Sequence, residues 1–212
     1  TGVEAETAAG KKTFSARAVV IADGGFQANL DMLKAMLPHP DRVKQRALAT
    51  FRTLGEAEAR VHGTTIDDVE FHEVGSIDAI IDIVGTCAAL EVLNIDRVAA
   101  SPIAVSHGTV RSSHGKIPSP GPAVAMMLAT RNAPVKGVDV DYEVSTPTGV
   151  ALVTTLATSF GAAPNMNVTA VGHGAGTKNP TDRANVVQVL LGATNEGSDD
   201  EIESIWGVWG WF

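Results

Sequence analysis

Two aspartates spaced four residues apart, Asp78 and Asp82, are the most informative candidates for chemistry in this chain. On a helix this spacing places both carboxylates on one face, and the rest of that face is apolar. Burying two carboxylates there is costly unless a cation or hydrogen-bond donors accompany them. His72 and Glu73 come just before the helix, so the set predicts a site for a borderline divalent metal, or for magnesium or manganese. The alternative is that Asp78 caps its own helix and Asp82 pairs with an arginine.

Two histidines form a second candidate group. His107 and His114 are seven residues apart, and we predict that they lie on adjacent strands of a hairpin. Imidazoles at the two ends of such a hairpin can meet at a metal ion or a ligand. Each histidine also stands beside a glycine, and on the sequence alone two turn residues are the preferred interpretation.

The segment Thr146-Pro147-Thr148-Gly149 begins a predicted helix. Hydroxyls, a proline and a glycine at a helix start leave unpaired backbone amides that face one point. Such an N-terminus binds phosphate or carboxylate readily. The alternative is that the Thr146 side chain simply caps the helix, as every helix start requires.

A glycine-rich run between residues 172 and 177 is the fourth candidate. Its alternating glycines, Gly174 and Gly176 among them, allow the backbone to approach a ligand or to form an anion-binding nest together with Thr177. They suit a plain turn equally well. The run is not a Walker loop, because no Gly-Lys-Ser/Thr follows it.

Hydrophobic periodicity and turn residues predict the elements that must position these candidates. The predicted helices run from Leu30 to Leu37, Asp41 to His62, Ile77 to Leu93, Pro122 to Thr130 and Pro147 to Phe160. The predicted strands are Ala16 to Ala22, Arg97 to Val105, His107 to Ser113, Lys136 to Val144, Asn167 to Val171 and Asn185 to Leu191. Without a regular βαβ rhythm, this predicts an α+β fold: mixed helices and short strands around one main core, with a short strand-helix N-terminal fragment.

Composition limits the function classes. With 44% hydrophobic and 19% charged residues, the 212-residue chain is globular, and its length suits one domain or a domain plus a fragment. A net charge of −8 argues against nucleic acid as a partner. Cys87 is the single cysteine, which excludes an internal disulfide and a Cys-rich zinc site and fits the cytoplasm. We expect no signal peptide and no membrane span, because the most apolar stretch, residues 77–93, contains three acidic residues.

Short blocks of sequence, taken in order, resemble the LarC family of nickel insertion proteins from about residue 41 to 194. The blocks are Arg42–Leu48, Glu56–Thr64, Phe71–Gly75, Asp78, Asp82–Gly85, Ser101-Pro102, His114-Gly115, Thr146–Gly149 and Gly174–Thr177. One such motif is weak evidence, whereas the ordered set is specific.

The resemblance implies an activity. Members of the family insert nickel into pyridinium-3,5-bisthiocarboxylic acid mononucleotide, which yields the nickel-pincer cofactor of lactate racemase, and they use CTP with manganese or magnesium. The expected enzyme is a CTP-dependent nickel chelatase or cyclometallase of the lyase class. Its expected substrates are nickel and the small pyridinium mononucleotide, and lactate racemase apoenzyme is a possible partner.

When chemical roles are assigned to the positions that match the family, two groups of candidate site residues follow. The candidate metal residues are His72, Glu73, Asp78, Asp82, His107 and His114. The candidate substrate-binding residues are Thr146, Thr148, Gly149, Gly174, Gly176 and Thr177. No residue is assigned a catalytic role, and the sequence does not give the oligomeric state.

The chain also departs from the family pattern. The opening segment of the family and the C-terminal region to which CTP binding is attributed are not found. Residues 1–36 resemble a fragment of FAD-dependent fumarate reductase or tricarballylate dehydrogenase relatives, but lack Gly-x-Gly-x-x-Gly, so no FAD is expected. We therefore predict a flavoprotein-like fragment (1–36), a nickel-insertion core (37–194) and an acidic, aromatic tail (195–212). The alternative functions are a non-catalytic module for a metal or an anionic nucleotide, and an FAD oxidoreductase fragment.

Overall fold

The computed structural model describes residues 2–7, 10–15, 40–69, 77–112, 115–181, 183–194 and 203–210, with side-chain detail for most of residues 41–194. Four helices in this part of the chain are α1 Pro40–His62, α2 Ile77–Val92, α3 Pro122–Thr130 and α4 Pro147–Leu156. Among the described residues, no helix has both the length and the apolar character that crossing a bilayer requires.

Helix α1 forms because its apolar side chains recur at steps of three and four. Val43, Ala47, Leu54 and Ala57 are all buried and lie along one stripe of the helix. The helix ends at Gly63, whose φ of 65° is a left-handed conformation that glycine adopts without strain. The next amide, of Thr64, donates to the Ala59 carbonyl at 2.9 Å, which satisfies one of the unpaired carbonyls of the last turn.

Helix α1 is the centre of the core, since its buried stripe contacts all three other helices. Its second half, around Leu54, packs against Val124 and Met127 of α3 and Val150 of α4. Its first half packs against α2, where Ile83 belongs to the contacting cluster. The helices therefore form a layer in which α1 fixes where α2 and α4 lie relative to each other.

A buried carboxylate also ties α1 to α2. The Glu91 side chain on α2 is 1% exposed, and its Oε2 lies 3.3 Å from Nε of Arg42 and 3.9 Å from Nη1 of Arg46. Arg46 additionally donates through Nη2 to the Ile95 carbonyl at 3.1 Å. Because two guanidinium groups accompany it, the buried charge of Glu91 is compensated.

The main sheet has five strands in the order β8-β3-β11-β10-β9. These strands are β3 Arg97–Ala100, β8 Ser159–Phe160, β9 Asn167–Ala175, β10 Val186–Thr194 and β11 Glu203–Gly210. Strand β10 pairs antiparallel with β9 and β11, whereas β3 pairs parallel with β11 and β8. The acidic, aromatic tail therefore supplies a strand in the middle of the sheet.

Three further sheets among the described residues have two strands each. Their strands are β1 Gly2–Thr7 with β2 Gly10–Ser15, β4 Ile103–Val105 with β7 Val135–Gly137, and β5 Thr109–Ser112 with β6 Gly115–Pro118. The β4–β7 pair is parallel, and the other two pairs are antiparallel hairpins. Helices and short sheets of both kinds confirm the predicted α+β class.

The predicted elements differ from the observed ones mainly at proline residues and at strand ends. Helix α3 has the predicted bounds, and α1 and α2 differ by one residue at one end. The predicted strand from Arg97 to Val105 is two strands, because Ser101-Pro102 interrupts it and proline has no amide to donate. The predicted helix from Pro147 ends at Leu156, and the chain then enters β8. The elements predicted between residues 16 and 37 lie outside the described residues.

Candidate functional site

A cavity of about 530 Å³ lies between α4, the main sheet and the loop that joins β9 to β10. Its apolar wall comes from strands and helices that are distant in the sequence, and includes Val98, Ile103, Val150, Val153, Leu156, Val187 and Val189. Its polar groups come from Thr86 on α2, the segment 143–146, and the loop residues Gly176, Thr177, Lys178 and Asn185. A volume of this size, with apolar walls and a few convergent polar groups, is typical of small-molecule sites, which measure roughly 300–1,000 Å³.

The start of α4 lies at this cavity, as the position of Thr146 and Gly149 in its lining indicates. Thr146 is the N-cap residue, with φ −77° and ψ 156°, and its hydroxyl accepts from the Gly149 amide at 3.2 Å. The expectation of free amides is thus wrong for Gly149, because the cap already uses its N–H. Of the other first-turn residues, Pro147 has no N–H and the Val150 amide donates to the Thr146 carbonyl at 2.9 Å, so the Thr148 amide is the first-turn donor that the helix itself does not use. Thr148 is half-buried and is not one of the lining residues.

The loop between β9 and β10 also lines the cavity. The Gly176 amide donates to the Asn185 carbonyl at 2.9 Å, and the Asn185 side-chain amide donates to the Lys178 carbonyl at 3.0 Å. A Cβ on Gly176 would overlap the terminal amide of Asn185, so any larger residue there requires the Asn185 side chain to move. Gly174 lies within β9, paired with Val187, and does not line the cavity.

The segment that precedes α4 is fixed to the neighbouring strand. The Ser145 hydroxyl donates to the Ala104 carbonyl of β4 at 2.7 Å, one residue before the helix cap. Both Ser145 and Ala104 line the cavity. The hydrogen bond therefore places the start of α4 at the cavity wall.

Asp78 and Asp82 lie on α2, and both side chains are exposed. Partial desolvation, followed by the charge of Asp78, raises the pKa of Asp82 above its ordinary value, which agrees with the two carboxylates sharing a face. The expected burial of this face is wrong, because α2 buries the adjacent stripe that includes Ala79 and Ile83. Thr86, one helical turn beyond Asp82, lines the cavity. His72 and Glu73 lie outside the described residues.

The two predicted histidines have different outcomes. His107 precedes β5, and its Nε2 lies 2.9 Å from Oδ1 of the exposed Asp139. It is not one of the residues that line the cavity. The predicted hairpin is present as β5 and β6, but His114 lies outside the described residues, so the meeting of the two imidazoles stays a prediction.

Within the described part of the chain, no group of three or more His, Cys, Asp or Glu side chains is arranged to hold a metal ion. A metal site built from the predicted residues therefore needs contributions from residues such as His72 and Glu73. Cys87 lies in the buried core, and burial raises the pKa of its thiol to about 11, although Arg46 lowers it, so the protonated thiol is favoured there.

Of the six residues predicted to bind substrate, the structure brings Thr146, Gly149, Gly176 and Thr177 together around one cavity. The sequence interpretation missed Lys178, Asn185, Thr86, Glu143 and Ser145, which line the same cavity. The sequence could have identified Lys178 as a candidate, since it directly follows the glycine-rich run. For Thr86 and Asn185 the sequence contains no such signal, because only the tertiary fold brings them to the cavity.

Comparisons with known proteins agree with the sequence blocks. The family model described as nickel insertion protein matches residues 9–206. A putative nickel insertion protein of Geobacter metallireducens is 50% identical over 155 residues, which cover 73% of this chain and 39% of the relative. One of Roseiflexus castenholzii is 42% identical over 187 residues, or 86% of this chain and 47% of the relative.

A third relative carries a substrate in its name. The pyridinium-3,5-bisthiocarboxylic acid mononucleotide nickel insertion protein of Geobacillus kaustophilus is 41% identical over 152 residues, covering 72% of this chain and 36% of the relative. No solved structure matches the chain significantly. The chain thus spans less than half the length of these three relatives. Because the family model covers most of its residues, the chain belongs to the nickel insertion protein family.

Proposed function

We propose that this chain binds the pyridinium mononucleotide that receives nickel, and that it acts in nickel insertion into pyridinium-3,5-bisthiocarboxylic acid mononucleotide. The observation that carries the proposal is the cavity lined by Thr146, Gly149, Gly176 and Thr177. The relative from Geobacillus kaustophilus is named for this substrate, and family membership makes a related substrate the first expectation for the cavity.

The lining of the cavity supplies both kinds of group that such a molecule needs. A pyridinium ring is flat and largely apolar, and it suits the wall formed by side chains such as Val98, Val153 and Val187. A phosphate suits the polar part of the lining, where the hydroxyls of Thr146 and Thr177 can donate. The Gly149 and Gly176 amides already donate to the Thr146 hydroxyl and the Asn185 carbonyl.

The helix start is insufficient by itself for the phosphate. A helix N-terminus stabilises an exposed anion by roughly 0.3–1 kcal/mol, and a partly buried one by up to about 2 kcal/mol. A micromolar complex needs about 8 kcal/mol in total, so further donors and apolar contacts must contribute. Thr177 in the β9–β10 loop and the valine wall are groups available in the cavity.

Nickel enters this proposal as a substrate. Asp78 and Asp82 are our candidates for receiving it, together with His72 and Glu73, since imidazole and carboxylate groups bind borderline divalent ions. Asp82 lies one turn before Thr86, so a nickel ion held there is close to the cavity along the helix. His107 and His114 stay predictions as metal ligands.

Manganese or magnesium with CTP does not enter the mechanism. The described residues supply two neighbouring exposed carboxylates, Asp78 and Asp82, but no group of three metal-ligating side chains. Magnesium bound to a nucleotide uses one or two carboxylates together with phosphate oxygens, so a further ligand source is needed. CTP is therefore assigned no binding site among the described residues. Delivery of the product to lactate racemase apoenzyme is part of the proposal for the longer family proteins.

Calorimetry on the full 212-residue chain tests the proposal. Titration with pyridinium-3,5-bisthiocarboxylic acid mononucleotide should give saturable one-to-one binding, and nickel added with and without CTP distinguishes insertion from simple metal binding. Val187→Trp fills the cavity wall and should abolish mononucleotide binding. Val168→Trp is the matched control, because Val168 is similarly exposed on the neighbouring strand β9 but does not line the cavity.

Two results would contradict the proposal. One is a parent chain that circular dichroism shows to be folded but that binds no mononucleotide. The other is equal mononucleotide affinity in the parent and in Val187→Trp, which would place the binding site elsewhere.

A further inference from the structure

Lys178 is the cation among the described residues that line the cavity. It directly follows Thr177 in the loop between β9 and β10, and Glu143 is the charged group of opposite sign in the lining. The remaining lining side chains are neutral. A ligand with a phosphate therefore has one ammonium group to which it can bind within this cavity.

The ammonium group of Lys178 is held over an aromatic ring. Its Nζ lies 5.0 Å from the centroid of the Tyr142 ring, which is within the range of a cation–π contact. Tyr142 is half-buried and stands four residues before Thr146, on the segment that leads into α4. The contact thus connects the loop to the segment that carries the other predicted phosphate-binding groups.

The backbone of Lys178 is fixed independently of its charge. The Asn185 side-chain amide donates to the Lys178 carbonyl, and the Gly176 amide donates to the Asn185 carbonyl. Neither hydrogen bond involves the ammonium group. Replacing the Lys178 side chain should therefore remove the charge without unfolding the loop.

We propose that Lys178 is the residue that recognises the phosphate of the mononucleotide, and that Tyr142 is a positioning residue for its ammonium group; this rests on the proposed function. An ammonium group has three N–H donors, so it can bind phosphate oxygens while one face stays against the ring. A charge-assisted bond to phosphate is about twice as strong as a neutral hydrogen bond, so this group is expected to dominate selection for phosphate.

The experiment measures discrimination between two ligands by calorimetry. The ligands are pyridinium-3,5-bisthiocarboxylic acid mononucleotide and the nucleoside obtained from it by phosphatase treatment. We expect the parent chain to prefer the mononucleotide at least tenfold, and this preference should fall as salt is raised. Lys178→Met should remove the preference by weakening mononucleotide binding about tenfold or more, while nucleoside binding changes less than about twofold. Lys178→Arg should retain it.

Tyr142 variants test the positioning role. Tyr142→Leu should weaken mononucleotide binding about three- to fivefold, because it removes the ring face, whereas Tyr142→Phe keeps the ring and should bind like the parent. Lys44→Met is the matched control for loss of one positive charge, since Lys44 is exposed on α1 and does not line the cavity.

The outcomes separate this inference from the function on which it rests. A Lys178→Met chain that still prefers the mononucleotide as strongly as the parent overturns the role of Lys178 and leaves the cavity assignment intact. Equal affinity of the parent chain for the mononucleotide and the nucleoside also overturns the role of Lys178 and leaves the cavity assignment intact. A folded parent chain that binds neither ligand overturns both proposals.

Discussion

Replacing Gly149 with valine separates ligand binding from helix capping at the start of α4. The first effect is on the cap: a Cβ at position 149 would lie 3.3 Å from Oγ1 of Thr146, closer than ordinary van der Waals contact. The Thr146 hydroxyl must then shift, and its hydrogen bond from the residue 149 amide, already 3.2 Å long, weakens or breaks. Loss of an N-cap typically costs about 1 kcal/mol, with a range of roughly 0.5–2.

A second effect opposes this loss. Glycine is about 1 kcal/mol less favourable than alanine inside a helix, and valine is disfavoured by up to roughly 0.7 kcal/mol, so the replacement regains about 0.3–0.5 kcal/mol. The net change in the free energy of unfolding is therefore a destabilisation of about 0–1.5 kcal/mol. Because Gly149 lines the cavity, the two valine methyl groups occupy space at the proposed phosphate end. We expect mononucleotide affinity to fall at least about tenfold, which corresponds to about 1.4 kcal/mol.

Urea unfolding and calorimetry together check this prediction. Gly149→Ala is the matched control, since it carries the same Cβ contact without the methyl groups that enter the cavity. If Gly149→Val binds the mononucleotide as tightly as the parent, the Thr-Pro-Thr-Gly turn is only a cap, and the phosphate assignment at α4 should be dropped. A loss of more than about 3 kcal/mol of stability would show that the cap estimate is wrong.

Three further predictions concern the core. Glu91→Gln should lower the free energy of unfolding by about 3 kcal/mol, because it leaves two arginines without their buried counter-charge; urea denaturation measures this, and no change would refute the pairing. Leu54→Ala should cost about 2–5 kcal/mol because Leu54 is fully buried, whereas Leu48→Ala, at a position 57% exposed, should cost less than about 0.5 kcal/mol in the same assay. The pKa of Cys87 is raised from 9.0 to about 11, so between these pH values the folded chain holds a proton that the unfolded chain releases. The free energy of unfolding should therefore fall by up to about 2–3 kcal/mol between pH 9 and 11. Urea denaturation across this pH range should show a smaller fall in Cys87→Ala.

The helices were predictable because their information is local. A buried stripe at steps of three and four residues and a left-handed glycine after the last turn identify α1, and a proline in the first turn marks the start of α3. Both helices agree with their predicted bounds to within a residue. The position of β11 was not predictable in this way. Ile205 pairs with Arg97, more than a hundred residues earlier, and no local pattern identifies a partner at that distance.

In the candidate site, too, the local features were predictable from the sequence and the tertiary ones were not. Thr146 and Gly149 are three residues apart and form one helix start, so their residue types were enough to select them. Their proximity to the β9–β10 loop depends on the packing of α4 against the sheet, and the sequence did not indicate it. The expected burial of Asp78 and Asp82 failed because an apolar helix can bury one stripe and expose the adjacent one.

The two groups of candidates, one for metal and one for substrate, are connected through α2. Asp78, Asp82 and Thr86 are each four residues apart, so they lie along one side of the helix and are separated by about 6 Å along its axis. Thr86 lies at the cavity, which means that the stripe runs from exposed carboxylates to the proposed mononucleotide site. Under the proposed function nickel must pass from protein ligands to the mononucleotide, so nickel that is weakly held beside the cavity is more useful than nickel in a closed site. An exposed pair of carboxylates suits this requirement, since it offers too few ligands to retain a transition metal tightly.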